Sequence, residues 1–272
     1  MVKVGIHQSF DGLINAARDC RDYGFNTFQI FTRNNRNLRQ RDMGIDEFFV
    51  FNSMLMACGF TDVVIHAPYV MNPASGEDEK REKAIGIIKS DLVLANRISA
   101  NVHYVLHPGA YTEFSPEECI PLLLDTLQQV VLEAGTVKIA VETMAGQGTQ
   151  LLSDLSQLGW FLQVISGMPH VEVCVDTCHF FAAAIQHKQL LAMFDIFNVK
   201  GKLGVIHVND SQREFGSFID RHASIGKGHI ANLREIVTDL HEYAPSAPII
   251  LETPEEHLVE DADIVKGWLY LK

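Results

Sequence analysis

Apolar and polar positions along the chain follow two periods. Short β-branched or apolar runs at residues 2–6, 27–31, 62–66, 102–107, 137–142, 171–175, 203–208 and 248–252 read as strands. Between them lie stretches of helical period, such as residues 12–23, 80–99, 116–134 and 230–243. Strand followed by helix, repeated, predicts βα units and a parallel sheet rather than hairpins. Eight such units predict a closed (β/α)8 TIM barrel of the α/β class. Near-continuous apolar strands such as Val-Lys-Ile-Ala-Val at 137–141 suit a sheet covered on both faces. The chain has 272 residues, close to the roughly 250 typical of such a barrel, and no repeat or linker divides it. Residues 1–272 are therefore expected to form one domain.

Glycine and proline cluster just after the strands, as in Ala67-Pro68, Pro108-Gly109, Ala145-Gly146-Gln147-Gly148 and Gly226-Lys227-Gly228. The loops on that rim are the most elaborate, and barrel active sites sit there. The same rim collects imidazoles and carboxylates. His66, His107 and Glu142 end the third, fourth and fifth predicted strands. Asp176 follows the sixth, His207 lies in the last turn of the seventh, and Glu252 ends the eighth. His179, three residues after Asp176, and the pair Asp220 and His222 lie in adjacent loops.

Any one of these residues alone reads as an ordinary hydrogen-bonded rim side chain. Together they would repel one another and resist desolvation unless cations compensated them. Mixed nitrogen and oxygen donors suit zinc, with manganese or iron as substitutes. Nine ligands exceed what one or two ions take from protein while keeping an open position, and a three-ion cluster accounts for the count. His7 ends the first strand and reads as a rim histidine. His103, although in register with His107, reads as structural.

Composition sharpens the picture. Apolar residues make up 47% and charged residues 21%, so disorder is excluded. The 34 acids against 22 bases give a net charge of −12, which opposes an extended basic surface of the kind that holds nucleic acid. That objection weakens if several acids are ligands, because three divalent ions would return about six positive charges to one cleft. Met1-Val2-Lys3-Val4-Gly5 lacks a secretory pattern and no apolar run approaches the roughly 18 residues of a membrane span, so a soluble, cytoplasmic protein with no membrane partner is expected. The five cysteines lack framework spacing and are expected to be reduced thiols. Cys174 and Cys178 flank Asp176 and are assigned as buried thiols, since nitrogen and oxygen donors already complete the pattern.

The stretches Ile-His-Ala-Pro-Tyr (65–69), Leu-His-Pro-Gly-Ala-Tyr (106–111), Val-Glu-Thr-Met-Ala-Gly-Gln-Gly (141–148), Val-Asp-Thr-Cys-His-Phe-Phe-Ala-Ala (175–183), Ile-His-Val-Asn-Asp-Ser (206–211), Asp-Arg-His-Ala-Ser-Ile-Gly-Lys-Gly (220–228) and Leu-Glu-Thr-Pro (251–254) resemble the endonuclease IV family of abasic-site endonucleases. The match is in order and spans nearly the whole chain. It implies a first zinc on His66, His107 and Glu142, a second on Glu142, Asp176, His207 and Glu252, and a third on His179, Asp220 and His222, with Glu142 as the bridge. Manganese or iron could replace zinc in one site. The implied activity is hydrolysis of double-stranded DNA 5′ to an abasic site, leaving a 3′-hydroxyl, with removal of 3′ blocking groups. Paired ions suit that chemistry by generating a bound hydroxide aimed at phosphorus.

The resemblance also implies DNA contacts by Tyr69 and by Arg36, which lies in the loop after the second strand. A monomer is expected. The chain departs from the pattern at Phe218, where many relatives carry a basic residue, and at Ala223, where a second histidine is common. Two other readings stay open. A sugar isomerase or epimerase of the xylose-isomerase-like superfamily would use Glu142, Asp176, His207 and Glu252 around one ion. A non-catalytic binding protein would keep the barrel without turnover.

Overall fold

A computed structural model describes residues 1–8, 12–34, 38–40 and 44–270. The strands are β1 (Val4–His7), β2 (Thr27–Phe31), β3 (Asp62–His66), β4 (Asn101–Leu106), β5 (Lys138–Glu142), β6 (Val171–Asp176), β7 (Leu203–Val208), the short β8 (Asp210–Ser211) and β9 (His222–Ala223), and β10 (Ile249–Leu251). The eight long strands run parallel and close in the order β1-β2-β3-β4-β5-β6-β7-β10, because β1 pairs with both β2 and β10. The expected (β/α)8 barrel is thus the observed fold. Helices α1 (Leu13–Asp22), α2 (Ile45–Cys58), α3 (Asp78–Ala95), α4 (Pro116–Val130), α5 (Leu155–Ile165), α6 (Thr177–Ala182), α7 (His187–Ile196), α8 (Leu233–Tyr243) and α9 (Leu258–Tyr270) follow the strands.

Local chemistry sets these boundaries. Ser115 opens α4 with a capping box: its side chain accepts from the Glu118 amide while Glu118 accepts from the Ser115 amide, and Pro116 takes the first helical position. Cys119, Ile120, Leu123, Leu124 and Leu127 then fall at three- and four-residue spacing on the buried face. The strands expected at 102–107 and 248–252 end one residue earlier, so His107 and Glu252 stand just beyond β4 and β10. Pro108 follows His107 and cannot donate to a ladder, which terminates β4. The β8–β9 pair was not anticipated, since two residues per strand leave no readable alternation.

Side-chain alternation stacks the barrel interior in layers. The middle layer is Val64, Val105, Ala140, Cys174, Val205 and Ile250, all fully buried. Two residues further along each of these strands come His66, His107, Glu142, Asp176, His207 and Glu252. One period-two step therefore separates a dry apolar plug from the candidate ligands.

Two residues in the other direction, Asp62, His103 and Glu172 form a second buried polar group, as expected of a structural His103. The His103 ring bonds Glu172 through Nδ1 and lies 3.6 Å from Asp62 through Nε2. Lys3 Nζ reaches Asp62 at 2.9 Å. Burial would depress the His103 pKa, but its hydrogen bonds to Asp62 and Glu172 and their charges outweigh this and lift it to about 9. A raised folded-state pKa stabilises the protein below the unfolded value of about 6.5, and that contribution fades as pH rises through 9. His103→Gln, which breaks this buried set, is expected to cost about 3–5 kcal/mol near neutral pH. Urea unfolding should show the wild-type advantage shrinking at alkaline pH; a pH-independent difference would contradict the assignment.

Candidate metal centre

Glu142 lies at the middle of the rim and is 1% exposed. Its Oε2 faces His66 Nε2 at 3.3 Å and His107 Nε2 at 3.4 Å. Its Oε1 faces His207 Nδ1 at 3.0 Å and His179 Nδ1 at 3.3 Å. His207 Nδ1 also lies 3.3 Å from Glu252 Oε2. To one side, Asp220 offers Oδ2 to His179 Nε2 and Oδ1 to His222 Nε2, each at 3.2 Å. Asp176 Oδ2 lies 3.9 Å from His222 Nε2. All nine expected ligands are thus brought to one mouth.

Backbone and side-chain oxygens fix which nitrogen points inward in His66, His179, His207 and His222. His66 Nδ1 lies 2.7 Å from the Ala67 carbonyl, His179 Nδ1 2.9 Å from the Thr143 carbonyl, and His222 Nδ1 3.1 Å from the Glu252 carbonyl. A carbonyl only accepts, so each Nδ1 carries the proton and each Nε2 presents a lone pair. His207 donates through Nε2 to Gln29 Oε1 at 2.8 Å, which turns its Nδ1 inward instead. The inner nitrogens face carboxylate oxygens, acceptor against acceptor. Among the described residues, His179 Nε2 and His222 Nε2 are buried without a hydrogen-bond partner.

That geometry fits cations. Two donors each about 2.0–2.1 Å from a tetrahedral ion lie roughly 3.3 Å apart, close to the nitrogen–oxygen separations above. Without cations the rings would take up protons. Burial opposes charge on His207 and His222, yet the surrounding carboxylates lift both to about 9. Burial likewise opposes ionisation of Glu142, while the charges and hydrogen bonds of His207, His107 and His179 hold it well below the usual carboxylate range. His107 goes the other way, lowered chiefly by burial.

The supporting residues explain the order. Asp176 caps α6 by accepting from the His179 amide at 2.9 Å, so these two candidate ligands are set by one helix turn. Asn209 Nδ2 holds the other Asp176 oxygen at 2.6 Å. Gln29, on β2, donates to Glu252 at 2.5 Å while accepting from His207. His7 meets the same Glu252 oxygen at 3.1 Å, which places it at the rim as expected. Gln29 and Asn209 were not anticipated; an amide in an apolar strand or in an Asn-Asp-Ser turn carries no sequence mark of its partner.

Asp210 was missed for the same reason. Its buried carboxylate accepts from the amides of Ser211 at 2.8 Å, Ile230 at 3.0 Å, Gly228 at 3.0 Å and Gly226 at 3.1 Å. It thereby ties the loop after β7 to itself, and β8 pairs with β9 to carry His222. A Cβ on Gly228 would come 2.4 Å from Asp210 Oδ1, so only glycine permits this approach.

The remaining expected residues fall as follows. Tyr69 is half exposed at the mouth, its ring 5.3 Å from that of His66 and 5.4 Å from that of His107. Beside it opens a cleft of about 400 Å³ lined by His7, Phe31, Tyr69, His222 and Glu252 among others. Arg36 lies outside the described residues. Arg33, nearby, turns inward to Asp91 at 2.7 Å. Cys174 sits in the apolar plug, and burial pushes the Cys178 thiol up to about 12, so neither presents a thiolate. All five cysteines are free.

The fold is a closed parallel barrel with imidazoles and carboxylates gathered at its loop rim, and the family model "Xylose isomerase-like TIM barrel" matches residues 17–271. The chain is 33% identical to "Probable endonuclease 4" of Clostridium botulinum over 263 residues, covering 94% of each chain. It is 34% identical to "Probable endonuclease 4" of Oceanobacillus iheyensis, covering 93% of this chain and 88% of that one. Among solved structures, endonuclease IV from Thermus thermophilus superposes with a TM-score of 0.84 at 28% identity, covering 99% of this chain and all of that one. The chain belongs to the endonuclease IV family. D-Psicose 3-epimerase from Clostridium cellulolyticum, at 13% identity and a TM-score of 0.71, shares the fold.

Asp210→Asn keeps the shape but turns an NH2 group towards two backbone amides. It is expected to cost about 2–4 kcal/mol and to lower bound-metal content by loosening His222. Chemical denaturation with elemental analysis checks both; unchanged values would show that the loop holds itself.

Proposed function

We propose that this protein is a metal-dependent phosphodiesterase that incises double-stranded DNA 5′ to abasic sites, leaves a 3′-hydroxyl, and removes 3′ blocking groups in base excision repair in the cytoplasm. The observation that supports this reading is the set of inward imidazole lone pairs facing carboxylate oxygens, together with the family to which the chain belongs. Three divalent ions, zinc on the chemistry of these donors, would occupy the gaps. His66, His107 and Glu142 would hold the first; Glu142, Asp176, His207 and Glu252 the second; His179, Asp220 and His222 the third.

When bound, such ions lower the pKa of a coordinated water and neutralise charge that grows on phosphate oxygens. The chain's own part is positional. Glu142 offers one oxygen towards His66 and His107 and the other towards His207, so a single buried carboxylate would set the spacing of two ions. The Ala67, Thr143 and Glu252 carbonyls and the Gln29 amide hold the ring tautomers in the form that ligation needs. Tyr69 stands at the opening where a nucleotide beside the lesion would pass, and Arg36 is proposed as a further DNA contact on the resemblance alone.

A sugar isomerase or epimerase would use Glu142, Asp176, His207 and Glu252 around one ion. It would leave His66, His107, His179, Asp220 and His222 converged without purpose. Stoichiometry separates the two: elemental analysis is expected to find about three divalent ions per chain, and one would favour the isomerase.

Incision of a duplex carrying one abasic site should be abolished by EDTA and restored by zinc. Glu142→Gln should lower kcat by about a thousandfold, near 4 kcal/mol of barrier. Undiminished turnover in either test would refute the mechanism.

A further inference from the structure

The loop between β8 and β9 carries three large apolar side chains that face water: Phe215 at 48%, Phe218 at 50% and Ile219 at 36% exposure. They directly precede Asp220, whose carboxylate meets His179 and His222. Exposed aromatic rings in such a cluster favour a contact surface over scattered surface residues. Phe218 has a second unusual property: its φ is +54°, in the left-handed region where a bulky side chain is strained.

The surroundings hold that conformation in place. The Phe218 amide donates to the Ala182 carbonyl at 3.0 Å, and the Gly216 amide donates to the Phe181 carbonyl at 3.1 Å. Both acceptors lie at the end of α6, the short helix that carries His179. The Phe215 ring meets the Phe181 ring edge-on at 5.3 Å. On its inner side the Phe218 ring rests on Gly146, where a Cβ would come 2.9 Å from it. The neighbouring Gln147 accepts from the Asp220 amide at 3.1 Å. The ring is therefore fastened through the same elements that position the third ligand group, with half its surface left open.

We propose that Phe218 is a substrate-contacting residue that stacks on a nucleobase or deoxyribose next to the cleaved phosphate. This rests on the endonuclease reading above. Tyr69 borders the His66 and His107 side of the ligand cluster, and Phe218 lies two residues before Asp220 in the loop that leads into the strand carrying His222, its ring on Gly146 just beyond Glu142 and Thr143. A phosphate held between them would bring its flanking nucleotides against one aromatic ring on each side, and stacking on such rings is tolerant of base identity. In a chain of net charge −12, an apolar contact also supplies affinity that salt does not screen.

The test is steady-state incision of duplexes with one abasic site by wild type, Phe218→Ala, Phe218→Trp and Phe218→Arg, with metal content and oligomeric state measured on each. Phe218→Ala should raise KM about tenfold with kcat and metal content held within about twofold. Phe218→Trp should restore KM. Phe218→Arg should steepen the dependence of log KM on log salt by about one unit, as an added phosphate contact does. Unchanged KM in Phe218→Ala overturns the proposal, as does a loss of kcat in step with lost metal, which would mark a structural role. A change in oligomeric state would assign the ring to a protein interface and overturn it too. Failure of the wild type to cut abasic DNA would instead sink the endonuclease reading, independently of the Phe218 comparison.

Discussion

The crowding of acceptors around Glu142 is the constraint on which the mouth of this barrel depends. A carboxylate buried to 1% exposure is surrounded by imidazoles, and those of His66, His179 and His207 have their outer nitrogens already bonded to oxygens of the protein. Their inner lone pairs leave the cluster short of positive charge, which protons or cations must supply. Because the two would compete for the same nitrogens, metal binding here would be coupled to proton release. The outer partners are as necessary as the candidate ligands. If the Ala67 or Thr143 carbonyl did not hold its ring, the lone pair would be free to turn away.

Much of this was legible in the sequence because two periodicities overlap. Strand alternation places His66, His107, Glu142, Asp176, His207 and Glu252 two residues beyond the small apolar positions that fill the barrel, so the fold and the rim follow from one pattern. His103 reads as structural because the endonuclease IV motifs offer it no counterpart, and it lies four residues before His107, bonded to Asp62 and Glu172. What escaped were contacts whose two ends are far apart and chemically ordinary. Gln29 is a plain amide in an apolar strand, and Asp210 binds four amides up to twenty residues downstream. β8 and β9 are too short to show a period.

The departures from the family pattern have different structural outcomes. Ala223 is buried in β9 opposite Asp210, where a small side chain fills the position. Phe218 stays in solvent on a strained backbone, anchored by α6. Charge thus leaves the rim at one position and apolar surface enters it.

The apolar plug of Val64, Val105, Ala140, Cys174, Val205 and Ile250 closes the barrel floor completely. Nothing can traverse the protein from one end to the other. Whatever enters at the rim must leave by the same door, so arrival and departure share a single opening.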